Sequence, residues 1–282
     1  MKDKIFRSVL FFACALIVPL TAGIIYTLGS ESFSALSHFG LLNFVSSCEW
    51  NPREDVYGAL PFIAGTLLTS VVALIICVPF SLSVALFNGE YFRSRRISTI
   101  ISALIDLLAG IPSIVYGLWG FYALRPLIIS AGINAQGFGV LLSGVTLAIM
   151  IIPYASSLSA EFIAQTPAEL KEAAYSLGAT QYETIRRVSL PVASSGIFAA
   201  YILAFGRALG ETMAVTMLIG NTLNIPASLR DTGNTMASII ANQFGEANGL
   251  KLSSLFAVGL LLFVITAVIN LLAKYIRQRI SG

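Results

Sequence analysis

The sequence predicts an all-α polytopic membrane protein with six transmembrane helices. Composition is the first ground. Of 282 residues, 56% are hydrophobic and only 11% charged, whereas soluble domains carry about 25% charged residues. The second is the spacing of apolar runs. Six of them, at about 9–28, 62–87, 97–124, 137–160, 194–220 and 253–274, approach the ~20 residues a helix needs to cross a bilayer. The third is the distribution of Lys and Arg. Segments 1–8, 88–96, 161–193 and 275–282, with Lys274 at the border, hold twelve cations; the opposite set holds four, Arg53, Arg125, Arg230 and Lys251. By the positive-inside rule both termini and the segment 166–191 lie in the cytosol.

The first span has a basic flank (Lys2, Lys4, Arg7), and its apolar run continues to about Leu28 with no A-x-A site after it. That reads as a retained helix rather than a cleaved signal. The following outer loop, 29–61, ends in WNPREDVYGALPF, where Trp50, Tyr57 and Phe62 suit an interfacial aromatic belt. Several spans carry breakers: Pro79, Gly110 with Pro112, Gly117 and Gly120, and Pro153. Broken backbone at membrane depth either lines a protected cavity or kinks a helix for packing. The loop 221–252 has a weak helical pattern at 235–244. Both outer loops are surface connections or docking surfaces for a partner, since loops of this length are commonly functional or disordered.

The polar interval 166–191, TPAELKEAAYSLGATQYETIRRVSLP, reads as two short helices joined at Gly178. Thr166, Pro167 and Glu169 form a capping box with a helix-starting proline, and Thr180 with Glu183 forms a second. Leu170, Ala173, Ala174 and Leu177 fall on one helical face; Tyr182, Ile185 and Ser189 give a shorter one before Pro191. A capped, soluble hairpin between spans is something another protein can push on.

Three ionisable residues lie within the spans: Asp106 in the third, Arg207 and Glu211 in the fifth. A charge at the bilayer centre costs about 2.5–3.5 kcal/mol even on the forgiving insertion scale. Arg207 and Glu211, four apart, would share a helix face. Gly206 and Gly210 flank them in a small-xxx-small pattern that admits a neighbouring helix. Either the two charges neutralise each other and hold the bundle together, or Arg207 is an anion contact on a polar pathway that Glu211 occupies when the path is empty. The guanidinium fork suits phosphate-like oxyanions. Asp106 is a third candidate for the substrate pathway; otherwise it pairs with an arginine of this chain or of a neighbour, or accepts hydrogen bonds near the Gly110–Pro112 interruption.

Other chemistries lack their parts. No lysine follows a glycine, so there is no P-loop. The single histidine, His38, sits in an outer loop, leaving no His-paired hydrolase and no zinc cluster. No catalytic residue, metal or cofactor is expected. Cys14, Cys48 and Cys77 suggest no structural disulfide, and a net charge of +3 gives no case for nucleic acid.

Glu172-Ala173-Ala174, three residues, Gly178, nine residues, Val188, one residue and Leu190-Pro191 resembles the EAA motif of ABC-importer permeases, with valine where isoleucine is usual. The resemblance implies the type I ABC-importer permease fold. It also implies that 166–191 is the coupling helix seated in a groove of a separate ATP-binding subunit, with Glu172, Ala173, Ala174, Gly178, Leu190 and Pro191 the coupling residues. Ile111-Pro112-Ser113, Tyr116-Gly117 and the run Gly206 to Thr212 are similar to the phosphate permeases. Met213-Ala214-Val215 and the stretches 50–62 and 64–66 look like the PstC-type subunit rather than its PstA-type partner. The likeness covers residue 50 to the C-terminus and makes 62–274 the permease domain, with 1–61 a first span and outer loop and 275–282 a tail. It implies a prokaryotic inner-membrane complex with a PstA-type second permease, an ATP-binding subunit dimer and an extracytoplasmic phosphate-binding protein. It also puts Arg207 and Glu211 among the residues implicated in phosphate movement. A permease for molybdate or sulfate is the alternative within the superfamily; an ion-coupled secondary transporter is the alternative outside it.

Overall fold

The structure, a computed structural model, describes residues 2–92 and 96–281; Arg93 and Arg95, counted above among the basic flanks, lie outside the described residues. Helix α1 (Lys2–Phe39) runs well past the expected end of the first span. It is followed by α2 (Leu41–Ser46) and a short antiparallel hairpin of β1 (Trp50–Asn51) and β2 (Val56–Tyr57), with Trp50 opposite Tyr57. Helix α3 (Leu60–Leu86) is the second span. Helix α4 (Arg96–Ala109), α5 (Ser113–Trp119) and α6 (Arg125–Ser130) follow, then α7 (Val140–Ala164). The polar hairpin is α8 (Ala168–Ser176) and α9 (Gln181–Thr184). Helices α10 (Leu190–Leu209), α11 (Met213–Leu218), α12 (Met236–Gln243) and α13 (Gly249–Ser281) complete the chain. Six helical stretches are long and apolar enough to cross a membrane: Leu10–Phe39, Leu60–Tyr91, Ser113–Ser130, Val140–Ala164, Gln181–Leu209 and Gly249–Gln278.

The bundle is built around α7. Its span is 67% buried, while no other span exceeds 28%, so the rest pack on it. Small residues make that possible. A Cβ on Gly144 would press on Val72 of α3, so α3 and α7 approach at a distance only glycine permits. Side chains of α3, α5, α7, α10 and α11 close one core, with Cys77, Tyr116, Leu147, Ile151 and Val215 buried in it. With little hydrophobic drive between helices inside lipid, such close packing carries the association.

A second core forms at the other end. Trp50, Tyr57 and Phe62 do not form an interfacial belt; all three are buried, and Trp50 sits edge-on to Tyr57 at 4.9 Å and to Phe62 at 5.0 Å. The Trp50 indole N–H donates to Gln243 Oε1 at 3.2 Å. The β hairpin folds these rings inward against α12 and α13. The helix expected at 235–244 is α12, capped by Thr235, whose hydroxyl accepts from the Ser238 N–H. It is anchored to α3, because Met236 N–H donates to Thr66 Oγ1 at 2.9 Å. One residue earlier in α3, a Cβ on Gly65 would collide with the Asn234 carbonyl oxygen. Backbone cannot swing aside, so Gly65→Ala is expected to cost about 1–3 kcal/mol through overpacking. A lowered thermal midpoint of the purified protein is the check.

Two predicted spans are not continuous helices. The stretch 97–124 is interrupted at 110–112, because Pro112 has no N–H to donate and forces Ile111 out of helical conformation. The stretch 194–220 is interrupted at 210–212. Two other prolines are absorbed by widened π turns: 120–124 precedes Pro126, and 185–189 precedes Pro191. Such turns are a known way for a helix to continue past a local irregularity.

Candidate functional site

The two interruptions face each other. Half-helices α5 and α11 start at them and pack together through glycine: a Cβ on Gly117 would lie 3.1 Å from Ala214 Cα and 2.8 Å from Met217 Sδ. Gly120 makes the same kind of approach to Leu218 and to Thr146 of α7. The breakers Gly117 and Gly120 therefore serve packing, not interruption. Across the first gap, Tyr116 O–H donates to the Leu108 carbonyl at 2.8 Å. That carbonyl, at the end of α4, also accepts from Ile111 N–H at 3.2 Å, so the phenol adds a second hydrogen bond that ties α5 to α4 across the gap. The Tyr116 phenol also lies within the field of Arg207.

Arg207 occupies the last turn of α10, where the helix dipole favours a cation. Its side chain is exposed and makes no hydrogen bond or ion pair among the described residues. The expected Arg207–Glu211 pair is absent, for a local reason. Gly210 ends the helix, so positions 207 and 211 no longer share a face. Glu211 turns instead toward α11, where its Oε1 accepts from Ala214 N–H at 3.3 Å. Nor do Gly206 and Gly210 admit a neighbour among the described residues: none outside their own helix lies within 4 Å of a Cβ built on either. The arginine and both glycines thus share an open face.

Asp106 is placed elsewhere. It is exposed near the end of α4 and lines a cavity of about 220 Å³ with Asn88, Ser102, Ser157 and Glu161. Among the described residues no arginine pairs with it.

The hairpin is half as expected. Thr180 and Glu183 form the capping box: Thr180 N–H donates to Glu183 Oε2 at 2.9 Å, and Glu183 N–H to Thr180 Oγ1 at 3.3 Å. The backbone N–H of Thr180, and then its hydroxyl, hold the Glu183 carboxyl below the usual carboxylate range. A depressed carboxyl contributes stability above its unfolded value and loses it as pH falls through the depressed one. Thr180→Ala should therefore speed amide exchange at 181–185 several-fold at neutral pH. At pH below the depressed carboxyl value, where wild type has lost the carboxylate, the difference should shrink; hydrogen exchange read by mass spectrometry tests both.

The first box does not form. Gln165 and Thr166 are still hydrogen-bonded to the end of α7, which buries Thr166, so Pro167 rather than Thr166 takes the cap position of α8. At the other end Gly178 has φ +85°, with Gly178 N–H donating to Tyr175 O and Ala179 N–H to Ala174 O. That is a Schellman stop, and it needs glycine.

The face expected to pack does not pack on this chain. Leu177 is 90% exposed, and Leu170, Tyr175 and Tyr182 lie between 45% and 60%. Glu172 and Ala173 are exposed and Ala174 half-buried. Of the second face, Ile185 and Ser189 are buried while Tyr182 is not. Leu190 is half-buried and Pro191 exposed. Through the π turn before Pro191, the second arm runs uninterrupted into the fifth span as Gln181–Leu209. The first arm is tied to the second span by an ion pair the sequence did not reveal. Lys171 Nζ lies 2.6 Å from Glu90 Oε2, and the two side chains are 15% and 6% exposed. Glu90 is held in a π turn, Phe87–Tyr91, whose Gly89 lies tightly against Ala160 and Ile163 of α7.

A six-span bundle with two interrupted helices meeting at an unpaired arginine, and a polar hairpin wired to three spans, has the build of a membrane permease. Comparison with known proteins is specific. Residues 77–282 match the family described as binding-protein-dependent transport system inner membrane component, and the chain belongs to that family. It is 42% identical to the phosphate transport system permease protein PstC of Mesorhizobium japonicum, over 100% of this chain and 92% of that one. It is 38% identical to PstC of Pasteurella multocida, over 99% and 92%. Against the probable ABC transporter permease protein YqgH of Bacillus subtilis the identity is 34%, over 98% and 92%. Among solved structures, the fold matches the inward-facing MetNI methionine ABC transporter with a TM-score of 0.61 at 19% identity, covering 77% of this chain and 93% of that one. It also matches a bacterial ABC transporter involved in the import of alginate, with a TM-score of 0.64 at 17% identity and 99% of both chains. The chain is a multi-pass inner-membrane permease with the type I ABC-importer fold.

Proposed function

We propose that this chain is the PstC-type permease subunit of an ATP-driven importer of inorganic phosphate, forming half of the translocation path. The whole-length likeness to phosphate transport permeases carries the reading. Two local features support it: an exposed guanidinium on an open face beside two interrupted helices, and a capped hairpin on which Leu170, Tyr175, Leu177 and Tyr182 are exposed. The other half of the path is a homologous PstA-type permease. ATP hydrolysis belongs to a separate ATP-binding subunit dimer, this chain having no nucleotide site of its own, and an extracytoplasmic phosphate-binding protein delivers the substrate. Residues 62–274 are the permease domain, flanked by the first span with its outer loop at 1–61 and the tail at 275–282. Both termini face the cytosol.

In this reading Glu172, Ala173, Ala174, Gly178, Leu190 and Pro191 belong to the coupling hairpin. Docking covers Leu170, Tyr175 and Leu177. Movement of the ATPase then reaches the second span through Lys171–Glu90 and the fifth through the continuous Gln181–Leu209 helix. Arg207 offers its fork to phosphate. Glu211 sets the start of α11 close by, through its hydrogen bond from Ala214 N–H. Asp106 acts at a distance from Arg207, on the α4 side of the interruption. Alternating access then needs only two packings a few kcal/mol apart.

The test is uptake of labelled phosphate by vesicles carrying the whole complex. ATP-dependent uptake that excess phosphate abolishes, and that molybdate and sulfate leave intact, is the expected result. Competition by molybdate or sulfate as strong as by phosphate would assign another oxyanion. Uptake that needs an ion gradient and no ATPase subunit would make the chain a secondary transporter.

A further inference from the structure

Tyr116 is the side chain that bridges the first interruption. It lies in the first turn of α5 and shares one buried core with Val215 of α11 and with Ala204 and Ala208 of α10, the residues three before and one after Arg207. Its neighbour Gly117 is pressed against Ala214, whose N–H holds Glu211. The phenol therefore stands where the two broken spans meet, within the field of the Arg207 guanidinium. Its hydroxyl is not committed to its present partner. It donates to the Leu108 carbonyl at 2.8 Å, and that carbonyl keeps a second donor, Ile111 N–H at 3.2 Å. The hydroxyl can leave without stranding a buried acceptor, so the usual penalty of removing one partner does not arise. The ring also borders a cavity of about 230 Å³, lined besides by Leu108, Ile111, Val115, Trp119 and Ile149, and so is not packed on every side. An oxyanion taken out of water at Arg207 has more acceptor sites than one guanidinium fork fills. A neutral donor meets one of them without adding charge.

We infer that the Tyr116 hydroxyl is a switchable donor, which holds the Leu108 carbonyl when the path is empty and turns to the anion at Arg207 when the path is loaded. The inference rests on the reading of Arg207 as the anion contact and adds a second, uncharged donor to it. Release of the Leu108 carbonyl unties α5 from the end of α4, so arrival of the anion and loosening of the first interruption are one event. Leu108 keeps its Ile111 bond throughout, which lets the exchange run in both directions at small cost. Phenylalanine at this position would fill the same space and offer no proton to either acceptor.

The experiment compares Tyr116→Phe with wild type in ATP-dependent uptake of labelled phosphate by vesicles carrying the whole complex. The maximal rate is expected to fall about three- to tenfold, the net worth of one hydrogen bond, while the half-saturating phosphate concentration and the thermal midpoint stay close to wild type. In an Arg207→Gln background the same substitution should cost much less, because the two donors serve one anion. A meta-fluorinated tyrosine at position 116 keeps the hydroxyl and serves if Tyr116→Phe does not assemble. Its fluorine resonance in the purified complex should move when millimolar inorganic phosphate is added, and should stay in place when Arg207→Gln is also present. Normal uptake by Tyr116→Phe beside impaired uptake by Arg207→Gln overturns this inference and leaves the anion role of Arg207 standing. Normal uptake by Arg207→Gln removes that role and this inference with it. Additive losses accompanied by a lowered thermal midpoint make Tyr116 a structural tie alone and overturn the proposal, as does a fluorine resonance that does not respond to phosphate.

Discussion

Arg207→Gln is expected to reduce ATP-dependent phosphate uptake about ten- to hundredfold, the equivalent of losing a charge-assisted hydrogen bond of roughly 1.5–3 kcal/mol. Assembly and ATPase activity should survive, because the exposed Arg207 side chain makes no hydrogen bond or ion pair among the described residues. Arg207→Lys should recover only part of the uptake, since an ammonium keeps the charge and loses the planar fork. The structure adds a contrast. If Arg207 and Glu211 were a neutralising pair, removing either would leave a stranded charge in the membrane and both variants would be equally damaged. Because Glu211 instead accepts from Ala214 N–H, Glu211→Gln, which can still accept there, should retain more uptake than Arg207→Gln. Normal uptake by Arg207→Gln would remove the arginine from the path.

The second large effect concerns coupling. Lys171→Met leaves the Glu90 carboxylate, 6% exposed, without its cation. Breaking a buried pair one partner at a time costs about 3–5 kcal/mol, and the residual exposure of Lys171 sets the expectation at the low end. The complex should lose thermal stability and, where it assembles, hydrolyse ATP with little uptake. Glu90→Gln combined with Lys171→Met should be milder than Lys171→Met alone, because no charge is left stranded. A double-mutant cycle on the thermal midpoint reads the coupling directly. Additive effects would show that the contact transmits nothing.

Local chemistry was the most readable part of the sequence. The Thr180–Glu183 box needs only four consecutive residues and forms as expected. The Thr166 box has the same letters and fails, because the end of α7 claims Thr166 first. Gly110 with Pro112 marked the first interruption in the sequence, whereas nothing marked the second at 210–212, since a break changes hydrogen bonding without changing apolarity. The assumption of a continuous fifth helix then produced a false Arg207–Glu211 pair. Trp50, Tyr57 and Phe62 were singled out correctly and placed wrongly: the same aromatic rings suit a membrane interface or a buried cluster, and only the turn between β1 and β2 decides. Lys171 and Glu90 are 81 positions apart, and no periodicity links them. At the candidate site, the arginine was legible from its cost in a membrane, whereas its partner geometry depended on where a glycine ended a helix.

The contact of Gly117 with Ala214 and Met217 has a kinematic consequence. Two broken helices would ordinarily contribute two independent hinges. Here the second halves, α5 and α11, interlock through a glycine and fill the space a side chain would need, so neither can swing without carrying the other. The pair behaves as one gear wheel with a single degree of freedom, and Arg207 sits at its rim. If Arg207 is the proposed anion contact, the anion there meets two spans that move together.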